Sequence, residues 1–215
     1  MPRQHAPKSV IKRLPVYLRI LDNLIRRDVE IISSRVLSEE TGFTAEQIRK
    51  DLAYFGAFGT RGTGYNTSYL REKLLRIIGL DKETKLVVVG LGHLGKALTR
   101  YNITKNPYVY VVGIFDASPA EHGNELEGRI IQPMEELGQV IKENDVKVAM
   151  ITVPAEPAQG VVDELVANGI TAILNFAPTK LHVPETVHVH NADLTIELQS
   201  LIYYTLEDEK RNLEE

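Results

Sequence analysis

Leu86 to Val89 form an unbroken apolar run that passes directly into glycines at 90, 92 and 95, and this stretch limits the possible folds more than any other. Uniformly apolar, β-branched runs suit strands buried on both faces of a parallel sheet. Beyond the glycines, Leu94, Ala97, Leu98 and Tyr101 recur at helical spacing, so the stretch reads as strand, tight turn and helix. The glycines have the G-x-G-x-x-G spacing of a dinucleotide-binding loop. Gly90 permits the turn, Gly92 leaves room for a pyrophosphate, and Gly95 lets the helix approach the sheet. Leu91, His93 and Leu94 share the loop, whose free N–H groups and helix dipole would face the phosphates. Glycine spacing alone is weak; it gains force from a strand before, a helix after and an acid ending the next strand. Asp116 supplies that acid, 21 residues beyond Gly95 at the end of the apolar run 108–115. A carboxylate there accepts both ribose hydroxyls and repels a 2′-phosphate, which favours NAD(H) over NADP(H). The competing reading is a strand-to-helix turn that is merely rich in glycine.

The chain then alternates as doubly wound α/β folds do. The pattern predicts a helix over 133–143, a buried strand over 146–152, a helix over 155–168 closed by Gly169, and a strand over 170–174. In this architecture ligands sit beyond the carboxyl ends of the strands. That rule places Thr152, Val153, Pro154, Asn175 and Phe176 near the far half of a dinucleotide, where Pro154 and Phe176 could pack on a nicotinamide ring. Ordinary turn chemistry explains any one of them equally well. The last helix, about 193–209, carries Leu194, Leu198, Leu201 and Ile202 on one face, with Tyr203, Tyr204 and Leu206 widening the apolar cover. A terminal helix so apolar needs more cover than one sheet edge provides, which suggests a second subunit. His188 and His190 could join Asp193 around a metal, but no further ligand cluster accompanies them, so they read as strand or surface residues and no metal is expected.

Charge divides the chain. Residues 1–80 hold 14 Lys and Arg against 8 Asp and Glu, while the remainder holds 11 against 21. A basic first third points to an anionic partner for that part alone. A helical stripe runs from Val10 to about Arg27, and Pro15 in a first turn would put its start near Leu14. Residues 34–41 read as a second helix capped by Ser34, with Val36 and Leu37 inward and Gly42 after its end. Thr44-Ala-Glu-Gln47 has the capping-box pattern that opens a third. Two helices across a short glycine turn suggest helix-turn-helix, as they would any helical hairpin. On the third helix Ile48, Leu52 and Phe55 share one face, while Arg49 and Lys50 point away from it with Gln47 and Tyr54 on a flank. A recognition helix needs such an arrangement, though a solvated helix face also carries such cations. Residues 56–64 contain four glycines, enough for a tight hairpin with Arg61 at its tip. That order is a winged helix, with Arg61 on phosphates or in a groove. A second phosphate loop competes less well, since no buried strand precedes it. The domains expected are 1–79, 80–190 and a terminal dimerisation helix, 191–215. The absence of cysteine, of a long apolar run and of a signal-like N-terminus makes a cytoplasmic protein without membrane contact the simplest expectation.

Read together, the stretches resemble the Rex family of redox-sensing transcriptional repressors over nearly the whole length. They are Arg13-Leu14 with Tyr17-Leu-Arg-Ile20, Ile48-Arg-Lys-Asp-Leu52 with Tyr54-Phe-Gly56, Gly59-Thr-Arg-Gly62 with Gly64-Tyr65, the glycine loop with Tyr101, Leu174-Asn-Phe-Ala-Pro178 and the terminal helix. The resemblance implies a homodimer with an N-terminal winged helix, an NAD(H)-binding Rossmann domain and a last helix swapped between subunits. It implies Arg49 and Lys50 in the major groove of an inverted-repeat operator and Arg61 in the minor groove. Tyr101 would report cofactor occupancy, and Arg19 would pair with Asp193 of the partner subunit as part of a switch. It further implies repression when NADH is scarce and release when NADH binds. Two rivals stand beside it. An NAD-dependent dehydrogenase would need a substrate domain and a general acid or base, yet only about 26 residues follow Val189. A regulator that binds CoA or another nucleotide would use the same glycine loop.

Overall fold

The computed structural model describes residues 6–60 and 62–214, with side chains followed to residue 207. It divides into two compact units, 1–82 and 83–215.

In the first unit α1 runs over Lys8–Arg26, with Val10, Leu14, Tyr17, Leu18, Leu21 and Leu24 forming the buried stripe. Its start corrects the expected one. Pro7 precedes the helix and its carbonyl accepts the N–H groups of Val10 and Ile11, while Pro15 sits inside the helix. A proline there leaves the Ile11 carbonyl without its helical donor. Both residues face outward, so water serves that carbonyl at little cost. The cap of α2, Ser34–Thr41, is also displaced by one residue: extended Ser33, not Ser34, accepts the Val36 N–H. Val36 is consequently exposed and Leu37 alone is buried. Gly42, at φ 74°, ends the helix in the left-handed conformation that glycine adopts without steric cost. Thr44 Oγ1 then accepts the Gln47 N–H at 3.1 Å and opens α3, Ala45–Ala53. Strands β1 (Ile31–Ile32), β2 (Gly59–Thr60) and β3 (Gly64–Asn66) form an antiparallel sheet in the order β1-β3-β2. Gly64 is required where β3 crosses β1, because a Cβ there would lie 2.5 Å from the Ile32 carbonyl. Helix α4, Thr67–Ile78, begins on the Asn66 side chain and closes the unit.

The second unit is a seven-stranded sheet in the order β10-β9-β8-β4-β5-β7-β6. Its strands are β4 (Thr84–Val89), β5 (Val109–Phe115), β6 (Glu125–Leu126), β7 (Arg129–Gln132), β8 (Val148–Ile151), β9 (Ala172–Asn175) and β10 (His188–Asn191). All pair in parallel except β6, which runs against β7. Alternate residues of β4 serve opposite faces, as strand geometry demands. Val87 and Val89 pack with Leu137 and Ile141 of α6 (Leu137–Asn144) and Val162 and Leu165 of α7 (Ala155–Ala167). Leu86 and Val88 pack on the other face with Leu98 and Ile103 of α5, His93–Lys105. This is a doubly wound Rossmann sheet, with its reversal of strand order at β4. The β6–β7 hairpin has no counterpart in the sequence reading. Its two-residue turn, Glu127-Gly128, takes positive φ at both positions, and glutamate is a rare choice for that role. Helix α8, Leu194–Glu214, ends the chain.

Candidate functional site

At the carboxyl end of β4 the three glycines have three distinct physical reasons. Gly90 turns at φ 92°, and a Cβ there would lie 2.8 Å from Val153 Cγ1. A Cβ on Gly95 would collide with the Gly90 carbonyl and come within 2.6 Å of Thr152 Oγ1, so α5 reaches the sheet only through glycine. A Cβ on Gly92 would meet nothing within 4 Å, which leaves open space over the α5 N-terminus for an anion. Thr152 braces this loop: its Oγ1 donates to the Gly90 carbonyl at 2.5 Å and its N–H to the Val89 carbonyl at 2.9 Å.

Half-buried Asp116 is already aimed at the loop. Its Oδ2 accepts the Leu91 N–H at 2.6 Å and its Oδ1 accepts the Ser118 N–H at 2.8 Å. Leu91 is buried beneath the loop, whereas His93 and Leu94 on the first turn of α5 are exposed. Val153 is half-buried, and Pro154 is exposed ahead of α7. Phe176 packs against the Leu86–Val88 face of the core. Asn175 ends β9 and holds the turn that follows it. It is buried, its Nδ2 donates to the carbonyls of Ala177 and Thr179 and to Asn191 Oδ1, and its Oδ1 accepts the Ala177 N–H. Its amide is fully engaged in holding the turn, so it offers a ligand no side-chain group. Tyr101 lies on α5, 59% exposed. Sequence reasoning missed the segment after Asp116. There His122 Nε2 donates to the Asp116 carbonyl at 2.8 Å and Glu121 receives Lys96 at 2.7 and 2.8 Å. The Asp116–Ser118 contact is an Asx turn, which was a readable signal.

In the first unit α3 carries the cationic face. Arg49 Nη1 donates to Ser34 Oγ at 2.8 Å, which points the guanidinium towards the start of α2. Lys50 is held by Glu46 one turn away at 2.8 Å; that pairing raises the lysine and lowers the glutamate from their ordinary ranges. Gln47 is half-buried and Tyr54 exposed. Between α3 and the hairpin lies a concavity of about 520 Å³ whose lining includes Ser34, Arg49, Leu52, Phe58 and Tyr65. Arg61 lies outside the described residues. The feature that sequence reasoning did not find is Asp51, on the buried side of α3. It accepts Arg13 Nε and Nη2 at 2.6 and 2.8 Å and the Tyr17 hydroxyl at 2.6 Å, tying α3 to α1. Burial first, then the Asp51 carboxylate, pushes the Tyr17 hydroxyl well above its ordinary range.

The proposed switch residues lie in different units. Arg19 on α1 is exposed and forms no ion pair among the described residues. Asp193 Oδ1 accepts the N–H groups of Thr195 and Ile196, capping α8. Along α8, Leu194, Ile196, Leu198, Leu201, Ile202, Tyr203, Tyr204 and Leu206 are all more than half exposed, an apolar surface that water does not favour. His188 and His190 lie on β10, and no group of three metal-ligating side chains occurs among the described residues.

Two family models match the chain: "CoA binding domain" over residues 81–179 and "Putative DNA-binding protein N-terminus" over residues 5–53. The redox-sensing transcriptional repressor Rex of Natranaerobius thermophilus is 62% identical over 96% of this chain and 94% of its own length. The chain belongs to the Rex family of redox-sensing transcriptional repressors. The Rex of Roseiflexus sp. is 42% identical over 95% of this chain and 93% of its own. Among solved structures, RSP in complex with β-NAD+ and operator DNA is 38% identical, with TM-score 0.90, covering 97% of this chain and 96% of RSP. RSP in complex with β-NADH is 36% identical, with TM-score 0.86, covering 99% and 100%. Rex proteins are repressors, which sets aside the dehydrogenase reading. The CoA-binding description attaches to the Rossmann half alone, whereas the Rex match spans both units.

Proposed function

We propose that this Rex-family chain is a cytoplasmic homodimer that holds an inverted-repeat operator through its first unit and releases it when NADH binds the second. The observation that carries the cofactor half is the pairing of Asp116 with the Leu91 N–H beside the open space at Gly92. It puts a hydrogen-bond acceptor for ribose hydroxyls and an anion-binding helix start on the same loop. The DNA half is supported by the likeness to RSP, whose structure was solved with operator DNA and β-NAD+. Gln47, Arg49, Lys50 and Tyr54 line the major groove, and Arg61 reaches the minor groove. Residues 1–79 act as the winged helix, 80–190 as the cofactor domain and 191–215 as the dimer element, with α8 exchanged between subunits to cover its apolar surface. Among the described residues no helix is long and apolar enough to cross a membrane.

CoA bears a phosphate on its adenosine ribose, which the Asp116 carboxylate repels as it repels the 2′-phosphate of NADPH. Calorimetric titration of the protein with NADH, NAD+, NADPH and CoA therefore tests the cofactor assignment. NADH should bind tightest and CoA and NADPH weakly; equal or tighter binding of CoA would replace the dinucleotide reading with the nucleotide-regulator one.

A further inference from the structure

Asp116 is the expected guard against a ribose phosphate, but it does not stand alone at that end of the site. The segment that follows it folds back on it: Ser118 N–H donates to its Oδ1, and His122 Nε2 donates to its carbonyl at 2.8 Å. Between those contacts Glu121 reaches α5 and takes the Lys96 ammonium on both carboxylate oxygens, at 2.7 and 2.8 Å. Lys96 lies one turn into the helix whose first residues follow the glycine loop, and both partners are about a third exposed.

Dinucleotides that carry a ribose phosphate need a cation to offset the repulsion by the acid. The supply of cations here is narrow. Residues 117–124 contain no lysine or arginine. Farther along α5, Arg100 is held by Glu127 at 3.2 Å and Lys105 ends the helix. Of these cations Lys96 is the one tied to the segment that follows Asp116, and Glu121 occupies it.

We propose that Glu121 is a second specificity-determining residue: by holding the Lys96 ammonium it denies a 2′-phosphorylated dinucleotide its counter-charge and so reinforces selection of NADH over NADPH. This rests on the dinucleotide reading given above. Counting Asp116, Glu121 and Lys96, the local charge is −1; neutralising Glu121 brings it to zero and frees a cation. Neutralising Asp116 alone leaves Lys96 still engaged, so the two carboxylates act through different mechanisms.

The test is calorimetric titration of the full-length protein with NADH and NADPH, in wild type, Glu121→Gln, Lys96→Met and Lys96→Met/Glu121→Gln. Glu121→Gln should tighten NADPH on the order of tenfold relative to NADH. The double variant should lose that gain, and Lys96→Met alone should weaken NADPH further by leaving an unpaired carboxylate. If Glu121→Gln changes both dinucleotides alike, Glu121 merely braces the loop and the proposal fails while the cofactor reading stands. A gain that persists in the double variant also overturns it, since Lys96 is then not the cation. Wild-type protein that binds neither dinucleotide would remove the cofactor reading itself.

Discussion

Replacing Asp51 with alanine should uncouple the recognition helix from the rest of the first unit. Asp51 is 2% exposed and accepts three hydrogen bonds, two from the Arg13 guanidinium and one from the Tyr17 hydroxyl. The Arg13 side chain is 16% exposed and Tyr17 is fully buried, so neither recovers full hydration when the carboxylate is removed. Breaking a buried ion pair by deleting one member costs about 3–5 kcal/mol, since the remaining charge is left uncompensated. The stranded tyrosine hydroxyl lies within that range rather than adding to it, because all three groups share one network. Hydrogen exchange resolved by peptide follows the two units separately, which a single unfolding midpoint does not. Amides of α1 and α3 should lose protection equivalent to about 3–5 kcal/mol while β4 and β8 keep theirs. Operator affinity should fall with it, although Asp51 is buried while Arg49 and Lys50 are exposed. The apolar triple variant Arg13→Met/Tyr17→Phe/Asp51→Leu should regain most of the protection, since a matched apolar cluster leaves no unpaired group. Loss below about 1 kcal/mol in Asp51→Ala would refute the clamp, as such a value belongs to an exposed ion pair.

Three further outcomes follow from the geometry. Lys50→Ala should weaken a specific operator by about 1–3 kcal/mol and relax base preference at one position, whereas loss of a phosphate contact would lower affinity for all sequences alike; binding to a set of operator variants distinguishes them. Gly95→Ala forces a Cβ into the Gly90 carbonyl and Thr152, so NADH binding should be lost while operator binding survives; calorimetry and gel shift read the two. Leu198→Glu/Leu201→Glu places charges on the apolar surface of α8 and should shift the protein towards monomer in sedimentation, with operator affinity falling as the second half-site contact is lost.

The sequence carried the Rossmann half well because its signals are local. A buried strand, three glycines and an acid on the next strand depend on backbone geometry and spacing, and each glycine has its expected steric reason. What was not legible has two causes. Strands β1 and β2 are two residues long, and β6 with β7 turns on Glu127-Gly128, so none shows a period or a favoured turn dipeptide. The start of α1 is hidden because a proline reads as a first-turn residue, yet Pro15 is tolerated mid-helix on the solvent side while Pro7 fills the terminal role. Side-chain partnerships across the chain form the second cause. Asp51 meets Arg13 across 38 residues, Glu121 meets Lys96 across 25, and Asn175 is taken up by its own turn and Asn191. A charged residue in sequence has no visible partner, so nothing there separates buried Asp51 from the exposed Arg49 and Lys50 beside it.

In the proposed function, cofactor and operator compete through the geometry of one dimer. Because the glycine loop and the recognition helix belong to different units, NADH lowers operator affinity only as far as it binds one geometry better than the other. A difference of about 3 kcal/mol corresponds to more than a hundredfold in operator affinity, and the same factor must weaken NADH when DNA is present. If Arg19 on α1 and Asp193 at the start of α8 pair across the dimer in one geometry only, with Tyr101 sensing occupancy, Arg19→Ala should alter the NADH effect more than NADH binding to the free protein. The decisive measurement is operator affinity with and without saturating NADH, in wild type and Arg19→Ala. A large NADH-induced loss is expected in wild type and a smaller one in the variant; equal losses would contradict the Arg19 pairing, and an unchanged wild-type affinity would contradict the switch.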